Sequence, residues 1–350
     1  MPTFEELLER WDGEQVVIRR DSESGAWIFI CLHSTRRGPA GGGTRMKVYD
    51  TPADGLADAM RLSAGMTAKL AVAGLELGGG KAVLAVRKIP EGDERRALLL
   101  RYGDLVASLG GNFLTSSDIN TGELDMDVIS ERTEHVFGRS ESKGGAGNPG
   151  PHTAIGVYHG IRASLADVFG SSEVDGRTVL VQGAGSVGAP LAVLLGRDGA
   201  VVCVADVDAE RAGAVATAAG GTTVPADGAL ATECDVYTPC AMGGTLSVDT
   251  VPQLRCRIVA GSANNQLAQM EAAESLRARG ILYAPDYVIN AGGAIAIVGL
   301  ESLGWSTGEV DAAVARIGDT LTEIYRRAEA ESISTAAAAD AVAAARLAAA

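Results

Sequence analysis

Apolar residues recur with two different periods along the chain, which predicts an alternation of strands and helices. In the first 150 residues, the apolar runs Ala26–Leu32 and Ala82–Val86 predict strands. Helical spacing predicts helices over Pro52–Met66 and Arg96–Leu109, and a pair of glycines ends the second one. The polar face of the first of these helices consists of Asp54, Asp58 and Arg61.

The segment Gly138–Pro151 is rich in Gly, Ser and Pro, and we therefore predict a domain boundary there. Two domains, over residues 1–150 and 151–325, suit a chain of 350 residues because single cores stop growing near ~250–300 residues. We expect the C-terminal stretch of about 325–350 to return to the first domain. Its end, residues 336–350, is largely alanine, which predicts a helix or a frayed terminus.

The pattern is clearest after the boundary. Thr153–Phe169 predicts a long helix, and Thr178–Gln182 and Val201–Ala205 predict two strands with a helix between them. Strands that alternate with helices indicate a parallel sheet with right-handed crossovers. The fold class is therefore predicted to be α/β.

A glycine-rich turn, Gly183-Ala184-Gly185-Ser186-Val187-Gly188, connects the first of these strands to its helix, and Asp206 ends the second strand. A lone GxGxxG is a weak signal, but this context predicts a dinucleotide site rather than a merely structural turn. An Asp at this position accepts a hydrogen bond from a ribose 2′-hydroxyl and repels a 2′-phosphate, so NAD is favoured. Arg211 is close enough in sequence to leave NADP open.

The composition excludes several classes of protein. With 47% hydrophobic residues, the chain is not disordered, and its net charge of −14 argues against nucleic acid or an anionic membrane as a partner. The N-terminus lacks a signal-peptide pattern, and no apolar run is long enough to span a bilayer. Five cysteines without paired spacing suggest a cytoplasmic protein, and four histidines without ligand spacing suggest that no metal is bound.

Two lysines in apolar, small-residue surroundings are the main candidates for chemistry. Lys81 follows the triplet Gly78–Gly80, and Lys69 lies twelve residues before it. Burial disfavours the charge of an ammonium group and lowers its pKa, so such a lysine can act as a general base. The alternative is a surface turn with a solvated lysine. A P-loop is excluded because Leu75 and Ala82 occupy positions that require Gly and Ser or Thr.

Several motifs in this order resemble the glutamate/leucine/phenylalanine/valine dehydrogenase family over about residues 15–330. They are GPAGGGTRM at 38–46, MTAKLAVAGLELGGGKAV at 66–83, Ser117-Asp118, GAGSVG at 183–188, Ser262-Ala263-Asn264-Asn265 and ILYAPDYVINAGGA at 281–294. The resemblance implies an N-terminal α/β substrate domain and a C-terminal doubly wound Rossmann NAD domain, with a cleft between them. It also implies reversible oxidative deamination of an L-amino acid to its 2-oxo acid and ammonia.

The same resemblance implies roles for individual residues. Lys69 would pair with the substrate α-carboxylate, Lys81 would be the base, and Asp118 would shuttle protons. Asn265 and Gly43 would lie at the substrate carboxylate. From sequence alone, Asp118 could also be a turn residue or a helix cap, and Asn264 and Asn265 a simple loop. The implied cofactor contacts are Thr153, Gly183, Gly185, Ser186, Val187, Gly188, Asp206, Cys240, Ala241, Ala263, Asn264 and Asn290.

The preferred amino acid is expected to be hydrophobic. Glutamate-specific members of the family carry a lysine where this chain has Gly41, and the other candidate pocket residues are Ser116, Ala294 and Ile297. Longer stretches lean toward the actinobacterial phenylalanine enzymes, so phenylalanine is the first expectation. Leucine or valine is the second expectation, because Asn148-Pro149 and Tyr287-Val288-Ile289 lean toward the leucine and valine enzymes. Overlapping specificity is expected, since one methylene in an apolar pocket contributes only ~1–3 kcal/mol.

Two other classes of function compete with a dehydrogenase. A catalytically silent NAD-binding sensor would have lost a lysine or the aspartate, yet Lys69, Lys81 and Asp118 are all present. A hydrolase would need a Gly-x-Ser-x-Gly turn, and the closest candidate, Ser186, has Ala184 at the first glycine position. By resemblance, the enzyme is expected to form a homo-oligomer.

Overall fold

The chain divides within the segment Gly138–Pro151, where the sequence predicts a boundary. In the computed structural model, which describes residues 3–349, the first unit runs to Asn148 and also includes Ile297–Gly304 and the chain from Ala343 onward. The second unit consists of Pro149–Ala296 and Trp305–Val342.

The first unit is built around a mixed sheet covered by helices. Its elements are α1 (Phe4–Arg10), β1 (Gln15–Arg20), β2 (Trp27–Ser34), β3 (Ala40–Lys47), α2 (Pro52–Val72), β4 (Gly78–Ala85), α3 (Gly92–Ala107), β5 (Phe113–Ser117) and α4 (Glu123–Ile129). The strand order is β1-β2-β4-β3-β5. Strands β3, β4 and β5 are parallel to one another. Strand β2 pairs with β4 in antiparallel orientation, and β1 pairs with β2 in antiparallel orientation.

Three strands of this sheet, β1, β3 and β5, are absent from the sequence prediction. The glycine-rich start of β3 is a poor strand former by propensity. It is a strand because β4 and β5 pair with it on both sides, with Gly41 beside Gly79 and Gly43 beside Ser116. Helices α1 and α4 were not predicted either. The predicted strands and helices correspond to β2, β4, α2 and α3, although β4 begins earlier, at Gly78, and α2 extends six residues beyond Met66 and thereby includes Lys69.

The second unit contains a parallel sheet with helices between its strands. Its elements are α5 (Gly150–Phe169), β6 (Thr178–Gln182), α6 (Gly188–Arg197), β7 (Val201–Ala205), α7 (Ala209–Ala218), β8 (Thr222–Thr223), β9 (Val236–Pro239), β10 (Ile258–Val259), α8 (Glu271–Ala278), β11 (Leu282–Tyr283), α9 (Asp286–Ile289), the first half of α10 (Gly292–Glu301), α11 (Thr307–Ala315), α12 (Ile317–Glu331) and most of α13 (Thr335–Ala348). Short 3₁₀ helices lie at Ala226–Ala231 and Val251–Gln253 in this unit and at Glu141–Lys143 in the first unit.

The strand order β8-β7-β6-β9-β10-β11 is that of a doubly wound dinucleotide-binding fold. The chain starts in the middle of the sheet at β6, winds outward through β7 and β8, and then returns to the other side of β6 at β9. Ligands of such sheets bind at the carboxyl ends of the strands, where the winding direction reverses. The predicted Rossmann fold is therefore confirmed, and its switch point lies between β6 and β9.

The C-terminal segment differs from the expectation that about 325–350 would join the first domain. Only the chain from Ala343 onward belongs to the first unit. Residues 325–342 stay in the second unit because buried hydrogen bonds hold them there. The Tyr325 and Ser164 hydroxyls are 2.7 Å apart, and the Thr335 hydroxyl donates to the Tyr283 carbonyl at 2.6 Å.

The alanine-rich end forms a helix, α13, rather than a frayed terminus. Ala338 and Ala339 are fully buried, so packing supports what helix propensity favours. Across residues 3–349, none of the helices has the length and apolar character that crossing a membrane requires.

Candidate active site

Lys81 lies in the middle of the first unit's sheet, on β4, and only 6% of it is exposed. Its ammonium group forms an ion pair with the Asp118 carboxylate at 3.1 Å. The alternative of a solvated lysine in a surface turn is therefore wrong. The triplet Gly78–Gly80 belongs to the strand itself, and it allows other main chains to approach.

Each glycine around Lys81 occupies a place where a side chain would collide. A Cβ on Gly79 would overlap the backbone of Thr67 on α2, and a Cβ on Gly42 would overlap the carbonyl of Gly80. At Gly43, a Cβ would lie 3.2 Å from the Lys81 Nζ and 2.9 Å from the Asp118 Cβ. Because Gly43 has no side chain, the lysine and the carboxylate both approach its backbone closely, at a position where the resemblance implies a contact to the substrate.

Asp118 follows the end of β5 in a tight, hydrogen-bonded turn. Its backbone N–H donates to the Thr121 hydroxyl at 2.9 Å, and that hydroxyl donates to the Thr44 carbonyl on β3 at 2.7 Å. The turn directs the carboxylate toward Lys81. Helix α4 is capped at Gly122, so Asp118 is not a helix cap.

Sequence reasoning missed Arg45, which bonds to the same carboxylate. Its Nε donates to the Asp118 Oδ2 at 2.8 Å, and its Nη1 donates to the Asp58 Oδ2 at 2.8 Å. Arg45 pairs with Val83 and therefore shares a sheet face with Lys81, but only the structure shows this register, because the sequence did not predict β3. Asp58, which the sequence places on the polar face of α2, is turned toward this arginine with 14% of its side chain exposed.

Burial and charge set the protonation of the Lys81–Asp118 pair. Burial lowers the pKa of Lys81 below that of an ordinary lysine, while the nearby carboxylate partly opposes this shift. Burial alone would raise the pKa of Asp118, but the charges of Lys81 and Arg45 outweigh it and lower that pKa. The arrangement can therefore hold an ionised carboxylate beside a lysine that loses its proton more easily than usual.

Three other predicted substrate residues of the first unit lie on α2, β5 and β3. Lys69 lies half-buried on α2, which packs against β4. Ser116 is half-buried on β5, directly beside Gly43. A Cβ on Gly41 would lie 3.5 Å from methyl groups of both Leu70 and Leu77, so its surroundings are apolar.

Ile297 also belongs to the first unit. Its Cδ1 and the Ser117 hydroxyl both lie 3.9 Å from the position of a Cβ on Gly138. Ala294 is three residues earlier on α10, in the part of that helix that belongs to the second unit.

The glycine-rich turn of the second unit fits the phosphates of a dinucleotide. Gly183 has φ +103°, which favours glycine, and Gly188 packs so closely on the Gly183 carbonyl that a Cβ would overlap it. A Cβ on Gly185 would meet no described atom within 4 Å, so the backbone is open there. Helix α6 then begins at Gly188 without a side-chain cap from the described residues. Together with exposed Ser186 and half-buried Val187, these features give the turn a geometry that could hold an anion.

Asp206 lies at the end of β7, and its carboxylate ties this turn to the next strand. Oδ2 accepts from the Ala184 N–H at 2.7 Å, and Oδ1 accepts from the Asp208 N–H at 2.9 Å and from the Arg211 Nη2 at 2.7 Å. Burial alone would raise the pKa of Asp206, but these hydrogen bonds lower it to about 2. The carboxylate is thus ionised at neutral pH and bonds to Arg211, the residue that left binding of NADP open in the sequence.

The remaining predicted cofactor residues lie at neighbouring strand ends of the second unit. Cys240 and Ala241 follow β9, and a Cβ on Gly183 would lie 2.9 Å from the Ala241 N. Ala263 follows β10 and donates its N–H to the Pro239 carbonyl at 2.9 Å. Thr153 opens α5, and its hydroxyl oxygen would lie 2.6 Å from a Cβ on Gly293.

The Asn264–Asn265 segment is more ordered than a simple loop. The Asn290 side-chain amide donates to the Asn264 Oδ1 at 2.8 Å and to the Ser262 carbonyl at 3.1 Å. Asn265 has φ +52°, a conformation that Asn tolerates better than most residues do. The structure therefore brings Asn264, Asn265 and Asn290 together in the second unit, next to the predicted cofactor residues.

Two family models match the chain. The model described as "Glu/Leu/Phe/Val dehydrogenase, dimerisation domain" matches residues 15–135, and the "Glutamate/Leucine/Phenylalanine/Valine dehydrogenase" model matches residues 207–350. The chain belongs to this family, as its motifs indicate. It is therefore an oxidoreductase that acts on amino acids.

Individual relatives cover nearly the whole chain. A leucine dehydrogenase of Bacillus cereus is 40% identical over 98% of this chain and 93% of its own length. A valine dehydrogenase of Streptomyces albus is 44% identical over 96% of this chain and 92% of its own. Among solved structures, the L-tryptophan dehydrogenase from Nostoc punctiforme has a TM-score of 0.86 at 36% identity and covers 99% of this chain and 98% of its own.

Proposed function

We propose that the chain catalyses the NAD-dependent, reversible oxidative deamination of a branched-chain aliphatic L-amino acid. The amino acid, water and NAD⁺ give the 2-oxo acid, ammonium, NADH and a proton. The observation that carries this proposal is the buried Lys81–Asp118 pair beside Gly43, in a chain similar to leucine and valine dehydrogenases. In this reading the first unit binds the amino acid and the second binds the cofactor.

The side chains of the first unit have complementary tasks. Lys81, with its lowered pKa, takes the proton from the substrate ammonium and later from the attacking water. Asp118 passes protons between the reacting nitrogen and oxygen atoms. The Lys69 ammonium pairs with the substrate α-carboxylate, and Asn265 assists there. Bound NAD supplies the hydride acceptor, held by the Gly183–Gly188 turn and Asp206, with Asn290 on the nicotinamide side.

The ionised Asp206 supports NAD over NADP, because its charge would repel a 2′-phosphate. Replacement by Ala removes this charge and releases the Arg211 guanidinium, which now bonds to Asp206 at 2.7 Å. We expect the kcat/KM ratio of NADP to NAD to rise by about tenfold in Asp206→Ala. An unchanged ratio would show that this carboxylate does not select the cofactor.

The apolar surroundings of Gly41 support an uncharged substrate side chain. The methyl groups of Leu70 and Leu77 lie where a Cβ on Gly41 would make ordinary contact, and no cation is present at position 41 to meet a γ-carboxylate. The relatives described above favour leucine and valine over the first sequence expectation, phenylalanine. The similarity to an L-tryptophan dehydrogenase keeps an aromatic amino acid as the second candidate.

A substrate panel separates these candidates. NADH absorbance is followed at alkaline pH with NAD and L-leucine, L-valine, L-isoleucine, L-phenylalanine, L-tryptophan or L-glutamate, with D-leucine as the control. We expect the highest kcat/KM with leucine or valine and negligible turnover of glutamate and D-leucine. A higher kcat/KM for phenylalanine or tryptophan would reverse the assignment. No turnover of any amino acid would favour a silent NAD-binding sensor.

We also propose that the enzyme is a homo-oligomer. The first unit matches a model described as a dimerisation domain, and a similar glutamate dehydrogenase from Thermus thermophilus (26% identical, TM-score 0.78, covering 96% of this chain and 88% of that one) is hetero-hexameric. Light scattering after size-exclusion chromatography would test this, since a mass of 35.8 kDa would indicate a monomer.

A further inference from the structure

Arg45 bridges two carboxylates beside the proposed base. Its Nε and Nη1 atoms donate to Asp118 and Asp58, each at 2.8 Å, and 11% of its side chain is exposed. Asp58 is fixed in turn from two further directions. The Tyr49 hydroxyl donates to its Oδ2 at 2.7 Å, and the Arg61 Nη2 donates to its Oδ1 at 2.7 Å. The guanidinium is therefore held rigidly between β3, α2 and the turn after β5.

This bridge determines how the Asp118 carboxylate is oriented. Its Oδ2 lies 2.8 Å from the Arg45 Nε and 3.1 Å from the Lys81 Nζ, so one oxygen is shared by both cations. A lysine at position 45 could not form both bonds in this fixed geometry, because a planar guanidinium presents its donors as a fork.

We propose that Arg45, held by Asp58, is a positioning residue that orients Asp118 and sets the pH at which Lys81 becomes a base. This inference rests on the proposed function, in which Lys81 is the base. It assigns a role in the reaction to an arginine and a carboxylate that the family resemblance leaves without one.

The charges around Lys81 act in opposite directions. The positive charge of Arg45 disfavours the ammonium form of Lys81, whereas the negative charge of Asp58 favours it. Burial raises the pKa of the Cys31 thiol, the neighbour of Lys81 on β2, to about 12, so that thiol adds no charge at neutral pH. The other titratable groups on or next to the elements packed against β4 are His33 on β2, Lys47 on β3, Tyr49 after β3, and Asp54, Arg61 and Lys69 on α2.

Opposite charges predict opposite effects of two substitutions. Arg45→Gln removes a positive charge that repels the Lys81 ammonium and that partly neutralises Asp58, so Lys81 should hold its proton to higher pH. Asp58→Asn removes a negative charge that attracts the ammonium and that partly neutralises Arg45, so Lys81 should lose its proton at lower pH. A purely structural role predicts loss of activity in both variants without opposite shifts.

The test is the pH dependence of kcat/KM for L-leucine with saturating NAD. We expect the acid limb of the profile to move to higher pH in Arg45→Gln and to lower pH in Asp58→Asn, each by more than about half a pH unit. Ionisation of the substrate itself is the same in every variant, so differences between variants report the enzyme. Arg45→Lys, which keeps the charge, should have a lower kcat with a limb closer to that of the native enzyme.

Controls separate this inference from folding and from the proposed function. Arg96→Gln removes an equivalent but half-exposed ion pair, to Glu131, and should leave the profile unchanged. Thermal unfolding and NAD binding by each variant check that it is folded. If Arg45→Gln does not fold, the nearly isosteric Asp58→Asn still tests the direction of the shift. Limbs that do not move, or that move in the same direction, would overturn the role of Arg45. Retained turnover in Lys81→Ala would instead overturn the proposed base.

Discussion

Both units have clusters of glycine, but the two clusters serve different purposes. In the first unit, Gly42 and Gly79 lie inside strands, where neighbouring main chains occupy the space that a side chain would need. In the second unit, Gly185 faces empty space, and Gly183 adopts a backbone conformation that other residues rarely adopt. One cluster is filled by the protein itself, and the other is left open for a ligand.

The difference shows that glycine content by itself does not identify a phosphate site. Close contact of strands β3 and β4 with helix α2 surrounds Lys81 with protein and so removes it from water. The open turn before α6 leaves backbone N–H groups accessible to an anion. The first arrangement produces a lysine with a lowered pKa, and the second produces the turn for which we propose cofactor binding. Substitutions in the first cluster should therefore affect catalysis and stability, and those in the second should affect cofactor binding.

The largest effect is expected for the side chain that the first cluster buries. Lys81→Ala should lower kcat by about 10²–10⁴-fold, because the proposed base is lost. NAD binding, measured by calorimetry, should be unchanged, since the glycine turn lies in the other unit. Lys88→Ala, at a lysine whose side chain is 81% exposed, is the matched control and should retain activity. Substantial turnover in Lys81→Ala would refute its role as base.

A methyl group in the closed cluster should destabilise the fold. Gly42→Ala places a Cβ onto the Gly80 carbonyl, which has no freedom to move within a paired strand. We expect the free energy of unfolding to fall by about 1–3 kcal/mol, measured by urea denaturation. Gly65→Ala is the control, because no described atom lies within 4 Å of its added Cβ and the helix favours alanine. Equal stability of the two variants would contradict the close packing.

A methyl group in the open turn should affect the cofactor instead. The added Cβ of Gly185→Ala would have no described atom within 4 Å beyond its chain neighbours, so the free energy of unfolding should change by less than about 0.5 kcal/mol. The KM for NAD should rise by about tenfold, because the pyrophosphate could no longer approach the backbone closely. If the KM for NAD stayed the same while stability fell, the glycine would be structural, as its counterparts in the first unit are.

The smallest effect concerns acid stability and compares two buried carboxylates. Hydrogen bonds from Arg101 and Ser24 lower the pKa of Asp21 in the first unit to about 2, as those to Asp206 do in the second. Because the folded pKa is depressed, the stabilisation is present above the unfolded pKa near 3.8 and is lost as pH falls toward 2. Asp21→Asn should cost about 1 kcal/mol at pH 7 and progressively less below pH 4 in acid-denaturation curves. A difference that persists at pH 2 would indicate lost packing instead.

The sequence determined the segment of the second unit from α5 to β7, whereas the elements between β7 and α13 were not predicted. The turn Gly183–Gly188, the flanking strands and Asp206 lie within one stretch of about 30 residues, and local periodicity is sufficient to order them. The glycine positions, the strand ends and the acidic residue all agree with the structure. What local patterns could not show is the bond from Arg211 to Asp206, because a surface arginine has many accessible rotamers.

In the first unit, the small-residue surroundings of the two lysines made them candidates, and the family resemblance added Asp118, but the partners of these side chains were decided by the tertiary structure. Arg45, Asp58, Lys81 and Asp118 are spread over more than seventy residues, and strand register together with the packing of α2 brings them together. A shift of one residue in that register would turn Arg45 to the opposite face of the sheet. Residue types thus indicated which chemistry is available, but the pairing of distant strands chose the partners, because register depends on contacts that no local pattern encodes.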